Sequence, residues 1–502
     1  MYRAAPVRGG RPPPPPSVVR ARFLPVTRRL AASLVATSLL LPACASRATR
    51  SAGEPATEPL PIAAPAATSA PAIAPAATFD SVWHIVHRTH WDTTFNGVSW
   101  RALGDSLRPR ALAARSQAEL RDILNALVLT LGQSHFAVLP GDDVSSTDAD
   151  AAAATGTLGL EVRWLANEWV ITRVHPGGPA ARAGLEPGTR LLAVNDTALP
   201  DPTLGVPTAD PRRIALQAYR LSEARLGGAV GTPARLRVLG PFDPPSPRDL
   251  TLTRGKPAGT PTRFGQLPTQ HAELAWERRR VDGRQVGVIR FNIWMPALAR
   301  AFDVALDSLR GADALVLDLR GNFGGVAGMA MGFAGHLVDT AVPVGVMHTR
   351  AQTMRFTINP RRVNTAAQRV TPFAGPVALV VDALSASTTE IFVGGLQDLG
   401  RARVFGEPTA GQALPAVAER LPNGDVLYHA IADFRAPSGR ALEGAGVTPD
   451  EPVPLTRAAL AAGGDPALDR ALQWAAHAEP PGPIIRAADD KAASTAPVLP
   501  RR

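Results

Sequence analysis

The chain has 502 residues, 45% of them hydrophobic, which is enough for two or three domains with real cores. Its formal charge of +10 is not spread along it, because residues 1–50 hold nine arginines and no acid, leaving 44 basic against 43 acidic side chains in the rest. That distribution argues against a nucleic-acid partner, and a single cysteine, Cys44, excludes internal disulfides and thiol catalysis.

The run RRLAASLVATSLLLPAC joins an arginine pair to an apolar stretch too short to span a bilayer comfortably, followed by small residues, and reads as a secretion signal over 1–44. Leu41-Pro42-Ala43-Cys44 resembles a bacterial lipobox, which implies lipidation at Cys44 and a chain held on a membrane of the bacterial cell envelope, inner or outer, facing the periplasm; an ordinary signal peptide cut nearby is the alternative. Residues 45–78 are rich in Ala, Pro, Ser and Thr without periodicity and read as a tether.

From 79 to 140 the pattern is helical. The stretch Ser116 to Leu131 places Leu120, Ile123, Leu124, Leu127 and Leu131 on one side, and Gly132 ends it just before Gln133-Ser134-His135. His84, His87, His90 and Asp92 have spacing that resembles a metal set, but three histidines over six residues drift around a helix and nothing completes the ligands, so no metal is expected.

After an Asp- and Ala-rich joint, residues 155–255 form a β-rich module: β-like runs at 159–164, 169–174, 190–194 and 234–239 and a helix over 210–226. It resembles a PDZ domain, with Thr157-Leu158-Gly159-Leu160 similar to the carboxylate-binding loop. The resemblance implies that Leu158, Gly159 and Leu160 present backbone N–H groups to a peptide terminus while the next strand edge pairs with an extended peptide. An inert spacer is the other reading.

From about 265 to 460 strands and helices alternate, as in an α/β core. A strand at 314–319 runs into Gly321-Asn322-Phe323-Gly324-Gly325 and a helix to about 338. No Lys-Ser/Thr follows, so this is not a phosphate loop; its glycines suit a backbone N–H brought close to a reacting carbonyl. A second unit joins the apolar strand Val377 to Val381 through a Ser-rich turn to a helix over 388–399. A serine there would sit at the tip of a parallel sheet beside unbonded N–H groups and the positive end of the helix dipole, as an acyl-transfer nucleophile needs. Ser385 and Ser387 read equally well as helix caps. A short helix at 466–476 follows the core, and residues 479–502 read as a disordered tail.

Four segments in order, LGQSHF, LVLDLRGNFGG, SASTTEIF with GEPTAGQ, and LEGAGVTPD, resemble the C-terminal processing (tail-specific) serine peptidases and their tricorn-core relatives, over about residues 79–455. The resemblance implies a multi-domain α/β protein with a catalytic core of the ClpP/crotonase-like type, acting on protein or peptide substrates without a cofactor. It makes Ser387 the nucleophile and Glu390 structural. Where the processing peptidases carry a lysine base this chain has Gln412, and its only lysines are Lys256 and Lys491. The tricorn-like branch uses a histidine preceded by serine and a late glutamate, which implies His135 as base with Ser134 and Glu443 behind it, and Thr388 and Gly324 as oxyanion donors. Phe323, Thr388 and Thr389 depart from the small residues usual there. A catalytically inactive peptide-binding scaffold is therefore the rival reading, with a carrier of hydrophobic small molecules on the same fold a third.

Overall fold

The computed structural model describes residues 74–141, 155–206, 210–241, 246–265, 267, 269–482 and 484. The leader with Cys44, the tether as far as residue 73, most of the joint and nearly all of the tail lie outside them.

Helices α1 (Pro75–Thr89), α2 (Trp100–Leu112) and α3 (Gln117–Leu129) open the described chain. The Ser116 side chain caps α3 by accepting the Glu119 N–H at 3.1 Å. Gly132, at φ +66°, turns the chain towards strand β1 (Ala137–Leu139). The helices do not form a domain of their own. Phe79, Val86, Leu120, Leu124 and Leu127 bury against Leu414, Leu421, Leu427 and Ala430 of a hairpin far along the chain, which also pairs with β1. The segment begins at Pro75, inside the expected tether, and its apolar faces are satisfied by the core.

The β-rich module holds β2 (Leu160–Leu165), β3 (Glu168–Val174), β4 (Arg190–Val194), helix α4 (Pro211–Leu226), β5 (Pro233–Leu239) and β6 (Arg248–Thr253), with the strands in the order β2-β3-β4-β5-β6. Asp210 caps α4, and Pro211 supplies the preset φ of its first turn. Leu160, Val162, Ile171, Leu191, Leu236 and Leu252 fill the core with Ala218 and Leu226 of α4. β2 is the edge strand, pairing only with β3, and α4 packs against it.

The third region contains β7 (Leu274–Val281), β8 (Arg284–Phe291), α5 (Ala299–Leu309), β9 (Ala314–Asp318), α6 (Ala327–Ala334), β10 (Val342–Thr349), β11 (Thr353–Ile358), β12 (Val377–Val381), α7 (Thr388–Asp398), β13 (Arg403–Gly406), β14 (Ala416–Arg420), β15 (Val426–Ala430), β16 (Ala432–Arg435), β17 (Glu451–Pro452) and α8 (Pro466–His477). The main sheet runs β7-β8-β9-β12-β13-β17, parallel from β8 onward. β9 and β12 are buried at every position, as their unbroken apolar runs require of central strands.

Helices α5, α6 and α7 cover one face, and α8 covers the other through Ala467, Leu468, Ala471, Leu472 and Ala475. The core thus extends to residue 477, past the expected limit at 460. A buried leucine contributes about 1.5–3 kcal/mol, so α8 is part of what holds the sheet. Strand–helix alternation holds for this sheet but not for 342–358 and 416–435, which form small antiparallel sheets, β11-β10-β16 and β1-β15-β14.

Candidate active site

The loops after β9 and β12 leave the sheet side by side, tied by Leu319 N–H to Val380 O at 2.8 Å and Ala386 N–H to Asn322 O at 3.1 Å. Two serines compete for attention in the second loop, and their surroundings separate them. Ser385 is fully buried, its hydroxyl 2.9 Å from Leu319 O, 3.2 Å from Asp382 Oδ1 and accepting the Asp382 N–H at 3.0 Å, so it ties the loop together. Ser387 is half-buried and points elsewhere. Its backbone stands at φ 57°, ψ −119°, a region a non-glycine residue occupies only under constraint. Two acceptors hold it there: the Ser387 N–H meets Gln412 O at 2.8 Å and Glu390 Oε2 at 3.1 Å.

Glu390, fully buried, accepts in addition from Gln412 N–H (2.8 Å), Gly411 N–H (2.8 Å) and the Thr409 hydroxyl (2.5 Å). Burial pushes its carboxyl up to about 7 against the pull of those donors. It fixes the turn and the 409–412 segment facing it, and with Ser387 it forms a capping box in which the Ser387 side chain accepts the Glu390 N–H.

His135 Nε2 lies 3.2 Å from Ser387 Oγ, across 252 residues of chain. His135 Nδ1 is 2.7 Å from Ser134 Oγ, and the Ser134 hydroxyl donates to Glu443 Oε2 at 2.8 Å. Glu443 also accepts the Ser134 N–H (2.8 Å) and the Ala413 N–H (3.0 Å). Since Ser134 gives its proton to the carboxylate, its oxygen must accept from His135 Nδ1–H, which leaves the Nε2 lone pair facing Ser387. Burial pushes His135 down to about 4, so the ring is neutral at pH 7. Burial also raises Glu443, opposed by the Ser134 and Ala413 donors.

Thr388 is the first residue of α7, so its N–H has no intrahelical acceptor. Gly324 lies under Ser387 so closely that a Cβ on it would fall 2.7 Å from Ser387 Cβ. Its N–H, expected to face a reacting carbonyl, is instead donated to Asn322 Oδ1 at 3.0 Å, because the Asn322 side chain folds back into its own loop. The following N–H, of Gly325, is on an exposed residue with no acceptor among the described residues.

The departures from small residues are integrated here. Thr388 Oγ donates to Gly325 O at 2.8 Å. Thr389 Oγ accepts Trp294 Nε1–H at 2.8 Å and lies 2.9 Å from Asn322 O. Phe323 packs on Tyr219 of α4, ring centroids 4.6 Å apart, so the Gly-rich loop touches the β-rich module.

Other contacts were not legible in the sequence. Asp382 Oδ1 accepts the Gly321 N–H (2.9 Å) and the Leu384 N–H (3.1 Å), joining the loops after β9 and β12. Arg212 of α4 donates to Gly444 O and Ala445 O, each at 2.9 Å, immediately after Glu443. Tyr428 of β15 packs 5.5 Å from the His135 ring. On β2, burial works against the charge of Glu161, yet Arg290 of the core together with His175, Arg163 and Arg173 holds its carboxyl well below the usual range. In the loop compared to a carboxylate site, Leu158 is buried, Gly159 stands at φ +71° with its N–H on Thr157 Oγ at 3.0 Å, and Leu160 begins the edge strand β2. The rings of His84, His87 and His90 do not converge: His84 and His87 lie against Trp83, and His90 is bonded to Gln133.

Residues 285–453 match peptidase family S41, residues 170–203 a PDZ domain and residues 74–128 the tricorn protease C1 domain. The carboxyl-terminal-processing peptidase 2, chloroplastic, of Arabidopsis thaliana is 28% identical over 388 residues, covering 75% of this chain and 68% of that protein. A carboxyl-terminal-processing protease of Picosynechococcus sp. is 26% identical over 380 residues, 74% of this chain and 81% of that one. The solved structure of a photosystem II D1 C-terminal processing protease shares the fold, with a TM-score of 0.52 at 22% identity over 77% of this chain and 94% of that chain. This mixed α/β chain, in which segments matching the tricorn C1 and PDZ domains precede a core matching peptidase family S41, is therefore a serine peptidase similar to the carboxyl-terminal-processing proteases.

Proposed function

We propose that the chain hydrolyses peptide bonds in extended or C-terminal protein segments through an acyl-enzyme, with His135 rather than a lysine as general base. The observation that carries this is the unbroken series Glu443, Ser134, His135, Ser387, with successive contacts of 2.8, 2.7 and 3.2 Å. Ser387 Oγ attacks the carbonyl carbon while its proton passes to His135 Nε2. The imidazolium that forms is stabilised through Ser134 by the Glu443 carboxylate. Nε2 then returns the proton to the leaving amine, and water repeats the cycle on the ester.

The oxyanion is met by the Thr388 N–H and, in place of Gly324, the Gly325 N–H; each such donor supplies about 10²–10³ in rate. The PDZ domain captures the substrate along the open edge of β2, with Leu158 and Leu160 beside a terminal carboxylate and the Gly159 N–H taken instead by Thr157 Oγ. Lipidation at Cys44 would hold the protein on a membrane of the bacterial envelope, facing the periplasm.

The test uses the chain without residues 1–44. It should cleave unfolded casein and take a fluorophosphonate at Ser387. His135→Ala should lose both reactions, whereas Gln412→Ala should keep them within about threefold. Equal loss in the two variants, or a clean wild type that does neither, overturns the reading.

A further inference from the structure

The residue pair that flanks the Ser134-His135 dyad is held from behind by one side chain. His90 ends α1 and is fully buried. Its Nε2 lies 2.9 Å from Gln133 Oε1, an acceptor that calls for a hydrogen on Nε2, and its Nδ1 lies 2.8 Å from Asp92 O and 3.1 Å from the Asp92 N, so both ring nitrogens are engaged. The same ring stacks on Phe136, centroids 5.7 Å apart and 20° between planes. Gln133 precedes the dyad and Phe136 follows it, so His90 touches both ends of the two-residue span.

That span needs holding. Gly132 and His135 both stand in the left-handed region, at φ +66° and +62°, and His135 has no glycine's freedom there. His90 is fixed in turn: Arg350 donates to His90 O at 3.1 Å and to His87 O at 2.9 Å, closing the carboxyl end of α1.

We infer that His90 is a positioning residue, which through Gln133 and Phe136 sets the height of the His135 ring over Ser387 without touching a reacting atom. The inference rests on the proposed role of His135. A displacement of about 1 Å at a reacting group can cost about 10² in rate, so a clamp two contacts away matters.

The variant His90→Phe keeps the ring and its stacking but removes both ring nitrogens, and Gln133→Leu isolates the Nε2 contact. The kcat of His90→Phe should fall about tenfold or more with KM within twofold. Gln133→Leu should give the same split, while Gln133→Glu, which still offers an acceptor, should retain most of the activity. The double variant His90→Phe/Gln133→Leu should be no worse than His90→Phe alone, because the Nε2–Gln133 contact is already lost in that single variant. Full kcat in His90→Phe, or additive losses, overturns the inference.

Should His90→Phe fail to fold, the half-buried Gln133 variants carry the test alone. The imidazole nitrogen signals of His135, observed by NMR in wild type and Gln133→Leu, separate this inference from the peptidase reading. They should shift or broaden in the variant. An inactive wild type whose His135 signals still respond would sink the peptidase reading and leave the clamp standing, while unmoved signals would sink the clamp.

Discussion

On one side of Ser387 the groups are joined in series: Glu443 holds Ser134, Ser134 holds the His135 ring, and the ring alone faces the hydroxyl. On the other side the Gly-rich loop is joined in parallel. Asp382 bonds it at the Gly321 N–H, Ala386 and Thr389 at the Asn322 carbonyl and Thr388 at the Gly325 carbonyl, and Phe323 leans on Tyr219 of the PDZ domain besides. A series loses everything when one link is cut, whereas parallel bonds lose a share each. Single substitutions of similar size should therefore have unequal effects on the two sides.

The largest effect is expected from Ser134→Ala. It leaves the Nδ1–H of His135 without an acceptor and takes a donor from Glu443, while leaving both backbones in place. A fall of about 10²–10³ in kcat with KM nearly constant would mark a lost orienter. A fall below tenfold would mean that the ring is held by something else and that the series description is wrong.

The same side predicts a pH profile. An imidazole acts as base only when neutral, so rate falls as pH drops through its pKa, and burial has moved that of His135 from 6.5 down to about 4. The acid limb of kcat/KM should therefore lie well below pH 6.5. Because the unfolded chain takes up this proton more readily than the folded one between those values, stability should also fall as pH is lowered across that window. An acid limb at 6.5 or above would show that the ring is solvated in the working enzyme.

On the parallel side, Thr389→Val removes one bond among several and leaves Trp294 Nε1–H buried without a partner. The expected loss is about 1–3 kcal/mol of stability, read by denaturant melting, with hydrolysis reduced less than tenfold. A kinetic loss as large as that of Ser134→Ala would erase the distinction between the two sides.

The two sides also differed in how far they could be read beforehand. Strand β12 and helix α7 lie where the apolar run and the helical spacing put them, since local pattern fixes both. Ser385 and Ser387 looked alike in sequence, because burial against Leu319 and exposure towards His135 are facts of tertiary packing. Asn423-Gly424 is a hairpin signal that stood in plain view, and it marks the turn between β14 and β15, where Gly424 has φ +89°. The helix at 466 was legible by its spacing, but nothing local says that a helix after the last strand covers a sheet face. His90 was weighed as a metal ligand, and its tie to Gln133 spans 43 residues. Asn322 folding back on the Gly324 N–H had no signal, because glycine-rich loops take many shapes.

The smallest expected effect falls where the two sides meet the PDZ domain. Arg212 reaches from α4 to the carbonyls of Gly444 and Ala445, just past the carboxylate that ends the series, but these are exposed bonds and Glu443 keeps three donors without them. Arg212→Ala should lower kcat on a small ester only about two- to threefold, since an exposed hydrogen bond to a charged group is worth little once water competes. Phe323→Ala, which frees the Gly-rich loop from Tyr219, should cost somewhat more, because a packed aromatic pair adds about 0.5–1.5 kcal/mol beyond its buried area. If Arg212→Ala instead cost as much as Ser134→Ala, the carboxylate would be held in place by the PDZ helix, and the series would have a fifth link outside the core.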